Sequence, residues 1–185
     1  MFEKVLAATA RPLACDESVL SAGIVAQFSN ARLLILHVLE SNTSIYRNYV
    51  RHYRTGKEIV GDVFYQDEVK EELAKNCGSD LPPSLKYEIR IASGVPWMEI
   101  LRWAREESVD LIILGAHTGR AYRQGKAAAR AAVGSTAEGV IKHERCPVMI
   151  ATNPIPRSKL AFNNIMVSID FSPSCICAFQ FALDL

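Results

Sequence analysis

No stretch of the 185 residues approaches the roughly eighteen consecutive apolar positions that a membrane helix needs. Charge of one sign is also missing. Twenty-one Lys and Arg against 20 Asp and Glu leave a formal charge of +1, which removes the easy electrostatic argument for a nucleic-acid or anionic-membrane binder. Cysteine is sparse and unpatterned: Cys15, Cys77, Cys146, Cys175 and Cys177 contain no CxxC pair. No His/Cys/Asp cluster has zinc-site spacing, so reduced thiols are expected. The opening MFEKVLAATARPLACDE has an early acidic residue and only a short apolar run. That argues against a secretory signal and makes a cytoplasmic protein the expectation.

Nucleotide and nucleophile motifs fail one by one. In GRAYRQGKA five residues separate Gly119 from Gly125, where a Walker A loop has four, and Ala127 stands where Ser or Thr must hold magnesium. No GxGxxG fingerprint is present, and no Ser-His-Asp arrangement is readable. His37 sits inside an apolar run and reads as a core or strand-end histidine. Cys15 lies near a helix start, with no base partner in the sequence.

What is present is an alternation. KVLAATA (4–10), RLLILHVLE (32–40), KYEIRIA (86–92), VDLIILGAH (109–117) and PVMIAT (147–152) read as strands, several apolar enough to be covered on both faces. Between them Leu20, Ile24 and Phe28, then Tyr65, Val69 and Leu73, then Ile100, Leu101 and Ala104, mark helix faces. A further helix is expected over Ser135–His143. Residues 41–61 show weak periodicity. Their YRNYVRHYRTGK (46–57) mixes tyrosines with basic residues and reads as a mobile segment or amphipathic helix flanking a pocket rather than a nucleic-acid surface. Strands alternating with helices predict an α/β domain with a parallel sheet.

After NPIPRSK, a proline-containing linker over 153–161, the segment FNNIMVSIDFSPSCICAFQFALDL (162–185) repeats the pattern of the opening FEKVLAATARPLACDESVLSAGI. A domain over 1–152 followed by the first strand and helix of an incomplete second repeat is the expected organisation.

The pieces LIILGAH, GSTAEGVIKHERCPVMI and IMVSIDFSP together resemble the universal stress protein family, in a tandem arrangement. The resemblance implies an open, mainly parallel five-stranded sheet flanked by helices, a homodimer, and a stress-response role. It also implies an adenine nucleotide (ATP or AMP), with Mg2+ as a companion and at most slow hydrolysis. Carried over by position, Gly115, His117 and Gly119 form the first phosphate turn, and Gly134, Ser135 and Thr136 open the last helix. Val38 and Leu114 touch ribose and base. Glycines let backbone N–H groups approach phosphate, and a helix N-terminus supplies donors and dipole.

Three departures stand against a plain copy. Three residues rather than two separate Gly115 from Gly119, and fourteen rather than nine separate Gly119 from Gly134. Ala10 occupies the position of the family's base-reading Asp, whereas Asp170 holds that place in the tail. Arg120, Arg123, Lys126 and Arg130 decorate the span between the glycines, as an electropositive lid or as a solvated helix. Two functions therefore stay open: a modified nucleotide sensor, and a nucleotide-free dimeric module that binds a protein partner.

Overall fold

The computed structural model describes residues 2–41, 49–116, 133–153, 155, 164–170 and 172–183. It divides into two compact units, Met1–Ile155 and Pro156–Leu185. The first contains β1 (Lys4–Thr9), α1 (Glu17–Ser29), β2 (Arg32–Glu40), β3 (Tyr49–Arg51), β4 (Glu58–Val60), α2 (Val63–Gly78), β5 (Tyr87–Gly94), α3 (Pro96–Glu106), β6 (Leu111–Gly115), α4 (Ser135–His143) and β7 (Val148–Ala151). The second contains α5 (Pro173–Leu183).

Five strands form one sheet in the order β5-β2-β1-β6-β7, and every pairing in it is parallel. The α/β architecture expected from the alternation is the one found. β1 sits at the centre because its residues can be buried on both faces: Val5, Leu6 and Ala7 are fully covered. Asp110 sets its start, accepting from the backbone N–H of Glu3 at 2.7 Å and of Lys4 at 3.1 Å. Helices α3 and α4 cover one face with Ile100, Leu101, Ala104, Ala137 and Val140, which join Leu6, Leu34, Leu36 and Ile112 in a common core.

Helix α1 departs from its four-residue spacing. Ile24 is buried as expected, but Phe28 is half exposed. The covered positions are small and β-branched residues from Ser18 to Ala26, interrupted only by Leu20, which is part-buried. A side chain as small as a methyl at Gly23 would approach Leu81 Cδ2 to 2.6 Å. Close approach on several sides, not one apolar stripe, fixes this helix. Helix α2 keeps the expected face, burying Tyr65, Val69 and Leu73, and extends it to Cys77. In α3, Pro96 occupies the first turn, where its missing N–H costs nothing.

Part of the region with weak periodicity is a second, antiparallel sheet: β3 and β4 pair Tyr49 with Val60 and Arg51 with Glu58. Gly56, at φ 70°, makes the turn. Val50 anchors the hairpin at 1% exposure. Among the described residues no helix is long and apolar enough to cross a membrane.

Candidate functional site

In the sheet, β1 is the strand from which the chain builds outward in both directions, first through β2 and β5, later through β6 and β7. An open parallel sheet binds ligands at such a reversal, outside the carboxyl ends of the strands. A cleft of about 520 Å³ lies there. The ends of β1, β2 and β6, the segment following β1, the start of α4 and the β3–β4 hairpin all line it. Of the residues expected at a site, Val38, Leu114, Gly115, Gly134, Ser135 and Thr136 are brought together in this lining. His117, Gly119, Arg120 and Lys126, with Arg123 and Arg130, lie outside the described residues. Asp170 belongs to the second unit. There its carboxylate accepts from the Ser172 N–H at 2.9 Å. Hydrogen bonds from Ser172 hold its pKa below the ordinary value.

Three helix N-termini stand at the cleft, and their chemistry differs: α3 begins with Pro96, which has no N–H to offer. Helix α1 is closed by Asp16, whose carboxylate accepts from the N–H of Val19 at 3.1 Å. Helix α4 begins at Gly134, and no side chain caps it. The N–H groups of its first turn have no intrahelical partners, and the helix dipole adds partial positive charge there. Gly134 has φ −64° and ψ 151°, angles that any residue adopts. Its contribution is therefore the missing side chain, which leaves these donors open to the cleft. The Gly134 N–H itself donates to the Ala116 carbonyl at 3.2 Å, and Ala116 N–H donates to Ala151 at 3.2 Å. This pair of bonds hangs the start of α4 on the ends of β6 and β7. A phosphate at this position would meet backbone donors and the Ser135 and Thr136 hydroxyls.

The base side is differently equipped. Ala10 lines the cleft and offers no side-chain acceptor. The nearest carboxylate in sequence, Asp16, is already engaged: Thr9 Oγ1 donates to it at 2.6 Å, Ser18 Oγ at 2.5 Å and Val19 N–H at 3.1 Å. The Thr9 carbonyl is also taken, by His37 Nδ1 at 2.9 Å. Because that partner is a carbonyl, Nδ1 carries the proton, and Nε2 of the neutral ring is an acceptor. Burial lowers the His37 pKa below its ordinary value, opposed by the Thr9 carbonyl and Asp16. His37 is thus the satisfied strand-end histidine that its sequence context suggested.

Sequence reasoning put the 46–57 segment beside the pocket as a mobile segment or amphipathic helix, but the described part forms the antiparallel β3–β4 hairpin. Its Arg51, His52, Tyr53 and Gly56 contribute to the lining. The hairpin is fastened to α2: Tyr65 Oη accepts from Tyr53 N–H at 3.0 Å, and Arg54 pairs with Glu72 at 3.0 Å. The His52 ring stacks on Tyr53 at 5.1 Å. The signal was there in YVR and EIV, two short strand-like pieces around the Arg-Thr-Gly-Lys turn. Among the described residues no group of three or more His, Cys, Asp or Glu could hold a metal ion.

Comparison with known proteins follows this architecture. The description of the universal stress protein family matches residues 1–152. Universal stress protein MJ0531 of Methanocaldococcus jannaschii is 36% identical over 70 residues. That alignment covers 38% of this chain and 38% of the relative. A crystal structure of a universal stress protein in complex with cAMP is similar at TM-score 0.52 and 20% identity, over 82% of this chain and 98% of that one. A universal stress protein from Archaeoglobus fulgidus is similar at TM-score 0.53 and 16% identity, over 82% and 95% of the two chains. At these identities the two structures show a shared fold. With the family match over the whole first unit up to Thr152, the chain belongs to the universal stress protein family.

Proposed function

We propose that the cleft binds an adenine nucleotide, phosphates at the start of α4 and base toward Val38, as a stress-linked sensor or switch. The observation that carries this reading is the uncapped N-terminus of α4 facing the strand reversal, with Gly134, Ser135 and Thr136 in the lining. One protein of this fold has been crystallised with cAMP, which supports an adenine ligand. Recognition is weighted toward the phosphate. With Ala10 the exocyclic amine of adenine loses an acceptor, worth on the order of 1–3 kcal/mol when the group is left unpaired. Magnesium accompanies ATP, Arg120 and Lys126 are the candidate phosphate partners of the intervening span, and the protein acts as a cytoplasmic homodimer. Asp170 and the tail belong to the start of a second repeat.

Calorimetric titration of ATP with magnesium tests this in wild-type protein and in Gly134→Asp. Aspartate is a favourable N-cap residue, so the variant keeps or strengthens α4 while placing a carboxylate where phosphate would sit. The expected result is saturable binding near micromolar Kd (about −8 kcal/mol), weakened at least about tenfold by Gly134→Asp. Equal affinity in both proteins, or no binding by folded wild type, would overturn the reading.

A specific observation favours a second function. Ala10 and the fully engaged Asp16 leave this cleft without the free base-reading carboxylate of nucleotide-binding relatives. A nucleotide-free dimeric module that binds a protein partner is the function left if titration is silent.

A further inference from the structure

Away from the cleft's phosphate end, two cysteines 62 positions apart in sequence meet. Cys15 closes the segment that leads from β1 into α1, and Cys77 lies in the last turn of α2. Their thiols are close enough to influence each other's ionisation. The two segments are held together independently: Asn76 Nδ2 donates to the Pro12 carbonyl at 2.9 Å. Cys77 is completely buried, whereas Cys15 is partly exposed. One sulfur therefore faces solvent and the other waits behind it. Cys15 also sits in an irregular segment, free of helix or strand hydrogen bonding, so it can close the remaining distance to disulfide geometry.

We propose that Cys15 and Cys77 form a peroxide-sensitive, reversible disulfide site. Sharing a proton eases the first ionisation of the pair and opposes the second. Accordingly, the interaction with Cys15 lowers the Cys77 thiol, and the same interaction, with burial, raises that of Cys15. The reactive species is a monothiolate with its proton between two sulfurs. Cys77 holds the charge in the resting pair; when the shared proton crosses to Cys77, the more accessible Cys15 thiolate attacks one oxygen of hydrogen peroxide. An S–O bond forms, the O–O bond breaks, and hydroxide leaves, to be protonated to water. Cys77 then loses its proton and attacks the Cys15 sulfenic acid. The S–S bond forms, the S–O bond breaks, and a second hydroxide leaves as water. Two thiols are oxidised by two electrons and one peroxide is reduced to two waters. A small thiol reductant reverses the change through a mixed disulfide.

The remaining thiols act as internal controls. Burial is the main cause that pushes Cys146 up to about 11, and no second thiol is among the groups acting on it to take up its proton as Cys77 does for Cys15. Cys177 is exposed and Cys175 buried in the second unit.

The site needs no ligand, so its test is independent of nucleotide binding. The full chain is treated with stoichiometric hydrogen peroxide, blocked with N-ethylmaleimide without reductant, digested with trypsin and mapped by mass. The expected product joins peptide Val5–Arg32 to Asn76–Lys86. It should vanish after dithiothreitol. In Cys77→Ala the link cannot form, and dimedone should instead trap a sulfenic acid on Cys15. In Cys15→Ser, whose partner is the buried sulfur, dimedone labelling at Cys77 should fall at least about tenfold relative to Cys15 in the other variant. Circular dichroism establishes that each variant is folded, and wild type alone decides the linkage if one is not. Both thiols fully alkylated after peroxide, or a link between other cysteines in their place, would overturn the proposal.

Discussion

The openings of the two units carry the same pattern, yet only the first builds a strand. Lys4–Thr9 is hydrogen-bonded on both edges, to β2 and to β6, and its centre is fully buried. The corresponding stretch at 164–170 has no strand structure, and Met166 is 97% exposed beside exposed Ile165 and Ile169. The helices that follow form in both places, α1 over 13 residues and α5 over 11. Each has a polar starter: Asp16 accepts from Val19 N–H, and Ser172 Oγ accepts from Cys175 N–H at 3.2 Å. A helix closes its hydrogen bonds within its own segment, whereas a strand must find its donors and acceptors on neighbours. Similarity of pattern between the two openings therefore goes with the helix and not the strand.

Packing should separate the two openings most sharply. Leu6→Ala leaves a cavity in the central strand and should cost about 2–5 kcal/mol in urea unfolding. Met166→Ala, at a nearly fully exposed position, should change stability by less than about 0.5 kcal/mol. Similar losses from both would mean that 164–170 is packed after all.

A pH difference comes next in size. Burial lowers the pKa of His37 in the folded first unit, so the unfolded chain binds that proton first. The His37 contribution is complete above its unfolded pKa of about 6.5 and is lost as pH falls from there toward the folded value, with a slope of at most about 1.4 kcal/mol per pH unit. Urea midpoints measured from pH 7.5 down to 5.5 should fall in wild type and flatten in His37→Gln. Parallel curves would show that His37 ionises alike in both states.

Caps give the smallest contrast. Asp16→Ala removes a cap and leaves the Ser18 and Thr9 hydroxyls only their bonds to Ala8 and Arg11, at about 1–2 kcal/mol, while Ser172→Ala removes one part-buried cap bond at about 0.5–1 kcal/mol. Thermal melts followed by circular dichroism would rank them, and a larger effect at Ser172 would reverse the comparison.

The same division between local and distant information explains what could be read from the residues. Strands β1, β2 and β6 were legible because apolar runs covered on both faces have few other uses. The extent of α4 was legible from Gly134, the Ser-Thr start and the basic last turn. Phe28 misled, because α1 packs through close approach of Ser18–Ala26 and not through a stripe. The hairpin was hidden because its burial rests on Val50 and on tertiary bonds from Tyr65 and Glu72. In the site, residue types singled out Gly134, Ser135 and Thr136, which the fold brings to the cleft. That Asp16 is already occupied by Thr9, Ser18 and Val19 could come only from the folded chain. The meeting of Cys15 with Cys77 is likewise a product of the fold, since nothing in their spacing announces it.

The most direct test of a cleft weighted toward phosphate is an amide nuclear magnetic resonance titration of the full chain with magnesium ATP and, in parallel, adenosine. The account predicts that ATP shifts the amides of Gly115 and of Gly134–Ala137 most, with smaller shifts at Val38, and that adenosine leaves the start of α4 unmoved. Shifts confined to other surfaces, or equal responses to ATP and adenosine at α4, would contradict it.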